Sequence, residues 1–176
     1  MNFFFFIKLK KLIKFFYQFL VQIYIFELTT YKKNTLSNKL NFFLIDKNTV
    51  KKKLFLRKYF KANKLKIKRF KNSKFIGIKN KKEIICSGWA AYKQTKNWHV
   101  EEINKYINFE NHIVLYDFRT LDEYKNQGYY KNLLKYIQNR FIRKKLVIYT
   151  LSSNLKSQNA IKKTNFKKTN EIKKIF

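Results

Sequence analysis

The stretch "LDEYKNQGYYKNLLKYI", Leu121 to Ile137, decides how this sequence is interpreted, because a glycine stands just before a helical pattern. Downstream of that glycine, apolar side chains recur at the spacing of one helix face: Tyr130, Leu133, Leu134, Ile137 and Phe141. The whole chain has only three glycines. We therefore expect Gly128 to have a specific role in the turn that begins this helix.

The turn before the predicted helix has the features of an anion site. The first turn of a helix presents unpaired backbone N–H groups and the positive end of the helix dipole, and such a place binds phosphate. Gly128 lets the backbone approach an anion closely or adopt a positive φ, and Lys125 adds a charge beside it. No G-K-[ST] follows, so the turn is not a P-loop, and a dinucleotide fingerprint lacks two of its three glycines. The residues alone allow a pyrophosphate cradle or an ordinary turn.

The chain is strongly basic. Its 176 residues fit one domain, and a hydrophobic fraction of 45% is ample for a core. The formal net charge of +31 is typical of proteins that bind nucleic acid or anionic lipid. However, only five of the 41 basic residues are arginine, the residue that pairs bidentately with phosphate and bases. The lysine excess and the absence of proline favour the codon bias of an AT-rich genome over selected nucleic-acid binding.

Cysteine and histidine are too few for disulfide or zinc chemistry. Cys86 is the only cysteine, so no internal disulfide can form, and we expect a reducing, cytoplasmic location. His99 and His112 are the only histidines, and no zinc-ligand spacing exists. We therefore expect no metal site. The apolar run "EIICSGW" indicates that Cys86 is a packed side chain rather than a nucleophile.

Residues 1–20 are predicted to form an N-terminal amphipathic helix ahead of a single domain at 21–176. Between residues 3 and 20, an apolar face and a lysine-rich face follow helical spacing. The uncharged run from Phe15 to Phe26 is too short to cross a bilayer, and no signal-peptide cleavage site follows it. Two interpretations stay open. The helix packs on the domain, or it is a peripheral contact with the anionic inner face of a membrane.

The remaining pattern predicts an α/β protein with a mixed sheet flanked by helices. The acidic pair Glu101–Glu102 is interpreted as a helix start, and the lysine-rich segment 61–74 as a loop or an edge strand. The predicted elements are a strand at Gln22–Leu28, a helix capped near Asp46, a hairpin turning near Asn80, strands at 111–120, 145–151 and 166–176, and a capped helix after Ser153.

Two motifs, one on each side of the strand at 145–151, resemble the GNAT family (Gcn5-related N-acetyltransferases). The family's coenzyme A loop reads [QR]-x-x-G-x-[GA]. Here Lys125 replaces the first residue, Gly128 keeps the glycine and Tyr130 replaces the small residue. The family pattern N-x-x-S-x-x-A-I-x-K-x-G-F is met by "NLKSQNAIKKTNF", with Asn165 in place of its glycine. The resemblance covers roughly residues 73–176 and is greatest to bacterial members associated with surface polysaccharides.

The resemblance implies an acyltransferase on a mixed, mostly antiparallel central sheet. Acetyl-coenzyme A would be the co-substrate and a primary amine the acceptor, with an amino sugar as the first expectation. The amine would attack the thioester directly. Strands Ile113–Arg119 and Leu146–Leu151 would splay apart, with pantetheine between them as an extra strand. The implied cofactor-binding residues are Phe118, Arg119, Thr120, Lys125, Asn126, Gln127, Gly128, Tyr129, Tyr130 and Asn154.

The candidate catalytic residues are Asn154, Ser157 and His112. The resemblance implies that Asn154 holds pantetheine and that Ser157 lies near the thiol. From the residues alone, both also fit helix capping. His112 stands where some members of the family have a general base, and its side chain suits proton transfer. Asp117 and the pair Glu101–Glu102 are weaker candidates for that role.

Two departures from the family pattern bear on these expectations. The family's frequent general acid is a tyrosine at the position of Ile161, so that role is not assigned to a tyrosine here. A single strand follows the last helix where the family usually has two. We therefore expect Gln22–Leu28, or a second subunit of a homodimer, to complete the sheet. The alternative function is a non-catalytic basic protein that binds RNA or the ribosome, because lysines interleaved with aromatic residues suit phosphate contact and base stacking.

Overall fold

The computed structural model describes residues 21–29, 33–37 and 39–173. Seven strands form the central sheet, in the order β2-β3-β4-β7-β8-β1-β9, and β5 and β6 form a separate small sheet. The strands are β1 (Gln22–Leu28), β2 (Asn41–Ile45), β3 (Ser73–Lys79), β4 (Ile84–Ala91), β5 (Trp98–Val100), β6 (Lys105–Ile107), β7 (His112–Thr120), β8 (Lys145–Leu151) and β9 (Phe166–Lys173). The helices are α1 (Lys47–Lys52), α2 (Leu54–Ala62), α3 (Tyr129–Arg140) and α4 (Leu155–Lys162), with 3-10 turns at Ile67–Lys71 and Asp122–Tyr124.

The central sheet is mixed and mostly antiparallel, as the sequence predicted. Every neighbouring pair of strands runs antiparallel except β7 and β8, which are parallel. A parallel pair needs a long crossover connection, and α3 supplies it here. In the strand order, this parallel pair lies near the centre of the sheet. The predicted Gly128 turn belongs to the connection that joins its two strands along the chain.

The N-terminal strand β1 fills a position in the sheet between β8 and β9. It pairs antiparallel with both neighbours, for example Ile23 with Leu151 and Leu28 with Phe166. The expectation that Gln22–Leu28 completes the sheet is confirmed. The chain's own strand takes this position, and its side chains Ile23 and Phe26 are fully buried there.

Helices and the small hairpin cover the two faces of the sheet. On one face, α3 and α4 bury Leu133, Leu134, Ile137 and Ile161 against the sheet. The other face is covered in two parts. An aromatic cluster around Trp89 fills the region under α2, and the β5–β6 hairpin buries residues such as Ile103 over β7 and β8. The ends of β7 and β8 thus lie between two packed layers.

Several local predictions are confirmed and two are wrong. The helix cap at Asp46, whose side chain accepts from Thr49 N at 2.8 Å, and the hairpin turn at Asn80 are as predicted. The pair Glu101–Glu102 does not begin a helix, since it lies in the turn between β5 and β6. The segment expected as a loop or an edge strand contains the 3-10 turn Ile67–Lys71. The strand β2 was not predicted from the sequence.

The amphipathic helix expected at residues 3–20 lies outside the described residues, so its packing and its membrane contact stay predictions. Over the ranges that the structure describes, no helix is both long and apolar enough to span a bilayer.

Candidate active site

The two central strands separate halfway along their length. They pair from His112–Leu115 to Lys145–Ile148, and no pairing continues between Tyr116–Thr120 and Tyr149–Leu151. At about 3.3 Å per residue, the unpaired part of β7 is roughly 16 Å long. The splay that the resemblance implied is therefore present, with unpaired backbone groups along both inner edges.

Neighbouring strands hold this gap open from outside. On its other edge, the end of β7 is paired with β4 through Arg119 opposite Ser87 and Thr120 opposite Cys86. The end of β8 is paired with β1 up to Leu151. Since each outer edge is fixed, the two strands cannot close on each other without breaking other pairs. The gap offers two open sheet edges to an inserted extended chain.

A β-bulge in β7 directs side chains to the two sides of the gap. Opposite Gly88 stand two residues, Asp117 and Phe118, and Asp117 has a φ of 51°. The ring of Phe118 lies over Gly88, where an added Cβ would come within 2.4 Å of it. Phe118 packs towards α3, with its ring centroid 5.2 Å from that of Tyr130. The bulge thereby places Phe118 and Asp117 on different walls of the gap.

A cavity of about 1060 Å³ occupies the gap and extends to both faces of the sheet. Its wall towards α3 and α4 includes Phe118, Tyr130, Asn154 and Ser157. The opposite wall is built by the 3-10 turn Ile67–Lys71, the loop after β4 and the β5–β6 hairpin. In the described ranges no cluster of three or more His, Cys, Asp or Glu side chains could hold a metal ion.

The loop before α3 has the geometry of an anion site. Gly128 is the N-cap of α3, with a φ of 79° and a ψ of 5°, and no side chain among the described residues caps the helix. A Cβ there would meet only Asn132 Nδ2, at 4.0 Å, so the glycine is required by its left-handed backbone and not by crowding. Lys125 forms an exposed ion pair with Asp122. The open side of Gly128 leaves room for a ligand against the backbone.

Asn154 and Ser157 lie together on the cavity wall. Asn154 is the N-cap of α4, and its Oδ1 accepts a hydrogen bond from Ser157 N at 3.1 Å. The capping interpretation is thus confirmed, and it leaves the half-buried hydroxyl of Ser157 without a hydrogen bond among the described residues. That hydroxyl is available to a ligand in the cavity.

His112 is not brought to the cavity, contrary to its expected position near the acceptor. It begins β7 at the paired end, and four residues of strand, about 13 Å, separate it from Tyr116. Its Nδ1 lies 2.9 Å from the carbonyl oxygen of Glu110, and its Nε2 lies 3.9 Å from Glu27 Oε2. These contacts fit a structural role at the start of the strand.

Three carboxylates line the cavity instead. Glu101 and Glu102 face it from the turn of the β5–β6 hairpin, and neither forms an ion pair within the described part of the chain. Asp117 is held by two arginines, at 2.5 Å from Arg69 Nη1 and at 3.1 Å from Arg119 Nε. The first two carboxylates are therefore open to an acceptor, whereas Asp117 is already engaged.

Two tyrosines at the ends of the paired region were missed by the sequence analysis. Burial raises the pKa of Tyr116 and of Tyr149, so both phenols keep their protons at neutral pH. The hydroxyl of Tyr116 lies 3.0 Å from Ser73 Oγ, and the hydroxyl of Tyr149 accepts from Trp98 Nε1 at 3.4 Å. Their position just after the last paired residues depends on the register of β7 and β8, which only the structure gives, so no sequence signal marked them.

Cys86 is a packed side chain, as the sequence predicted. Its side chain is 1% exposed, and burial raises the pKa of its thiol to about 11. Thr120 Oγ1 donates a hydrogen bond to its sulfur at 3.2 Å. A thiol that is protonated and enclosed in this way is a poor nucleophile at neutral pH.

Comparison with known proteins identifies the fold. No family model and no curated protein matches the sequence. A protein assigned to the GNAT acetyltransferase family from Novosphingobium aromaticivorans matches with a TM-score of 0.57 and 8% identity, over 86% of this chain and 61% of that one. A GCN5-related N-acetyltransferase from Sphaerobacter thermophilus gives 0.52 and 6%, over 92% and 54%. A GNAT acetyltransferase from Colwellia psychrerythraea gives 0.51 and 13%, over 86% and 53%.

This chain spans between about half and three fifths of the length of these three solved structures. At such low identities the likeness concerns the backbone and not the chemistry of the side chains. This likeness of the backbone agrees with the parallel central pair of strands, with the separation of those two strands, and with the helix whose N-cap is Gly128. The chain has the fold of the GNAT acetyltransferases.

Proposed function

We propose that this protein transfers an acyl group from acyl-coenzyme A to a primary amine. The observation that supports this most strongly is the gap between β7 and β8, which outer strands hold open and whose cavity reaches Tyr130 in the first turn of α3. Two open sheet edges suit an extended chain with amide groups. An uncapped helix N-terminus preceded by a glycine suits phosphate. Pantetheine joined to a pyrophosphate has both features in that order.

The residues present fit this cofactor. The inner edges of Tyr116–Thr120 and Tyr149–Leu151 would bond to pantetheine, and Phe118 and Tyr130 would form its apolar wall. The backbone N–H groups of residues 126–130 would hold the pyrophosphate, whereas the N–H of Lys125 already donates to the carbonyl oxygen of Asp122. Acyl-coenzyme A supplies an activated acyl carbonyl and a thiolate leaving group when it is bound.

The chain's own groups can then assist each change of bond. Unpaired N–H groups on the inner edge of β7 would hydrogen-bond to the carbonyl oxygen as its negative charge grows. Glu101 or Glu102, directly or through water, would take the proton of the attacking amine as the C–N bond forms. Ser157 would donate a hydrogen bond to the sulfur as the C–S bond breaks. The half-buried rings of Tyr116 and Tyr149 would help to keep water from the thioester.

The first acceptor to test is an amino sugar, as expected from the surface-polysaccharide resemblance. Purified protein would be incubated with acetyl-coenzyme A and glucosamine, and released thiol would be measured. We expect turnover that falls in Ser157→Ala by about tenfold to a hundredfold, the scale of a lost hydrogen bond to a charged group. An undiminished rate in that variant would remove Ser157 from the mechanism.

Salt dependence distinguishes this proposal from the alternative of a basic RNA- or ribosome-binding protein. Calorimetric titration with acetyl-coenzyme A would be repeated at about 50 and 200 mM salt, a range over which nonspecific phosphate binding falls steeply. We expect the affinity to change little, because a shaped gap and backbone amides contribute most of it. Loss of binding at the higher salt, with RNA competing at the lower one, would favour the alternative.

A further inference from the structure

Two of the chain's five arginines meet at one carboxylate on the cavity wall. Arg69 Nη1 donates to Asp117 Oδ2 at 2.5 Å, and Arg119 Nε donates to Asp117 Oδ1 at 3.1 Å. All three side chains line the cavity. Since 36 of the 41 basic residues are lysine, the composition alone would favour lysine over arginine at both positions.

The arginine pair is held in position. The guanidinium of Arg69 lies 5.7 Å from the ring centroid of Trp89 and 5.4 Å from that of Tyr116. Arg119 also donates to the carbonyl oxygen of Asn63 at 3.2 Å. Asp117 sits in the bulge of β7, which fixes the carboxylate that both arginines share. Such anchoring lowers the entropy that a flexible cation loses on binding a ligand.

Both arginines remain reachable from the cavity and keep unused donors. Their side chains are 27% and 47% exposed. A guanidinium has five N–H donors, and the contacts above use only a minority of them. With one carboxylate between two cations, Arg69, Arg119 and Asp117 together carry a net positive charge. This arginine pair therefore suits a carboxylate or a phosphate, which match the fork geometry.

Negative charge faces the same cavity from the hairpin. Glu101 and Glu102 line it without an ion pair in the described ranges. Only ten residues of the chain are acidic, so two glutamates at one cavity indicate a specific role there. The lysines that line the cavity carry no such information, because lysine is abundant throughout the chain. The cavity wall away from α3 thus carries a fixed arginine pair and two carboxylates without ion pairs, beside the lysines Lys68, Lys71, Lys93 and Lys96.

We propose that the acceptor is an amine that also carries an anionic group, a phosphate or a carboxylate. Arg69 and Arg119 bind the anionic group, and Glu101 and Glu102 bind the ammonium group. The assignment rests on the proposed acyl transfer for its choice of an amine. The arginine pair then determines specificity, and the glutamates orient the nitrogen towards the gap between β7 and β8.

The test compares three simple amines as acceptors with acetyl-coenzyme A: ethanolamine, O-phosphoethanolamine and β-alanine. We expect kcat/KM to be at least about tenfold higher for an anionic amine than for ethanolamine, the scale of one hydrogen bond to a charged group. The preferred anionic amine shows whether the site takes phosphate or carboxylate. Equal kcat/KM for all three would overturn the inference.

Variants test whether the arginine pair causes the preference for an anionic amine. Arg119→Gln, at a half-exposed position, should lower kcat/KM for the anionic amine about tenfold more than kcat/KM for ethanolamine. Arg69→Lys keeps the charge and the packing stem but loses the fork, and we expect a smaller loss. Arg57→Gln, on the exposed side of α2, is the matched control and should change neither value. Equal kinetic constants for both kinds of amine in Arg119→Gln and in Arg57→Gln would overturn the inference.

Direct binding separates this inference from the proposed function. O-phosphoethanolamine and inorganic phosphate would be titrated calorimetrically into the wild type and Arg119→Gln without acetyl-coenzyme A. We expect O-phosphoethanolamine to bind the wild type more tightly than phosphate does, because only O-phosphoethanolamine also contacts the glutamates. Arg119→Gln should bind both ligands about tenfold more weakly. If acetyl-coenzyme A binds but this preference is absent, the inference fails and the proposed function stands. If the preference is present but acetyl-coenzyme A does not bind, the proposed function fails and the anionic-amine site remains.

Discussion

Replacing Gly128 by Asn separates the two reasons for a glycine at the start of α3. Its φ of 79° lies in the left-handed region, which costs an ordinary residue about 1–2 kcal/mol but is tolerated by Asn. Asn126 already adopts a φ of 63° in the same loop. A Cβ at Gly128 also has room, since its nearest neighbour would be Asn132 Nδ2 at 4.0 Å. Gly128→Asn should therefore fold, with its side chain where we place the pyrophosphate.

The expected loss of affinity follows from the contacts that the new side chain blocks. Hydrogen bonds from backbone N–H groups to a charged phosphate contribute about 1.5–3 kcal/mol each. Displacing one of them should weaken acetyl-coenzyme A binding by at least about 2 kcal/mol, or roughly thirtyfold in Kd. Lys125→Ala is the matched control. Its ammonium group is exposed and paired with Asp122, so its loss should cost less than about fivefold.

Calorimetric titration with acetyl-coenzyme A, alongside thermal melts, measures both effects. Gly128→Val should lose affinity and also melt lower, by about 2–4 °C for each kcal/mol of backbone strain. Gly128→Asn should lose affinity with little change in Tm. Unchanged affinity in folded Gly128→Asn would mean that the glycine only shapes a turn, and the loop would not be the phosphate site.

Three further predictions concern the bulge, the buried thiol and the histidine. Gly88→Ala places a Cβ 2.4 Å from the ring of Phe118 and should lower the free energy of unfolding by about 1–3 kcal/mol. Adding Phe118→Leu should recover part of this in denaturant titrations, and strictly additive losses would contradict the contact. Because the pKa of the Cys86 thiol is about 11 when folded against an ordinary 9.0, the unfolded state binds fewer protons between these values, so stability falls as pH rises. Between pH 8 and 10 the wild type should lose about 1.3 kcal/mol more than Cys86→Ala, and equal losses would refute the burial argument. His112→Ala should lower kcat by less than about tenfold, since its ring lies outside the cavity, and a loss beyond a hundredfold would restore it as the base.

The parts of the fold that depend on local chemistry could be predicted from the sequence. Asn80 accepts hydrogen bonds from Lys82 N and Glu83 N and so defines the hairpin turn within three residues. The caps at Asp46 and Asn154 likewise act on backbone groups three residues away. Residue types alone carry this information, because a short polar side chain reaches only its neighbours.

The features that depend on distant contacts could not be predicted. Val100 and Ile103 are both buried and stand three apart, which imitates a helix face, yet the chain turns back between them. The strands β5 and β6 are too short for an alternating pattern. The pairing of Arg69 with Asp117 joins residues 48 positions apart, so the arginine pair has no local signal. The arginine pair and the hairpin that faces it across the cavity were therefore visible only in the structure.

A crystal structure of the protein soaked with acetyl-coenzyme A tests the central claim most directly, that the gap between β7 and β8 is the acyl-coenzyme A site. We expect electron density for pantetheine between Tyr116–Thr120 and Tyr149–Leu151, with the pyrophosphate against the backbone at Gly128. The acyl group should point towards Glu101 and Glu102. An empty gap at saturating ligand, or a gap closed by side chains, would contradict the account.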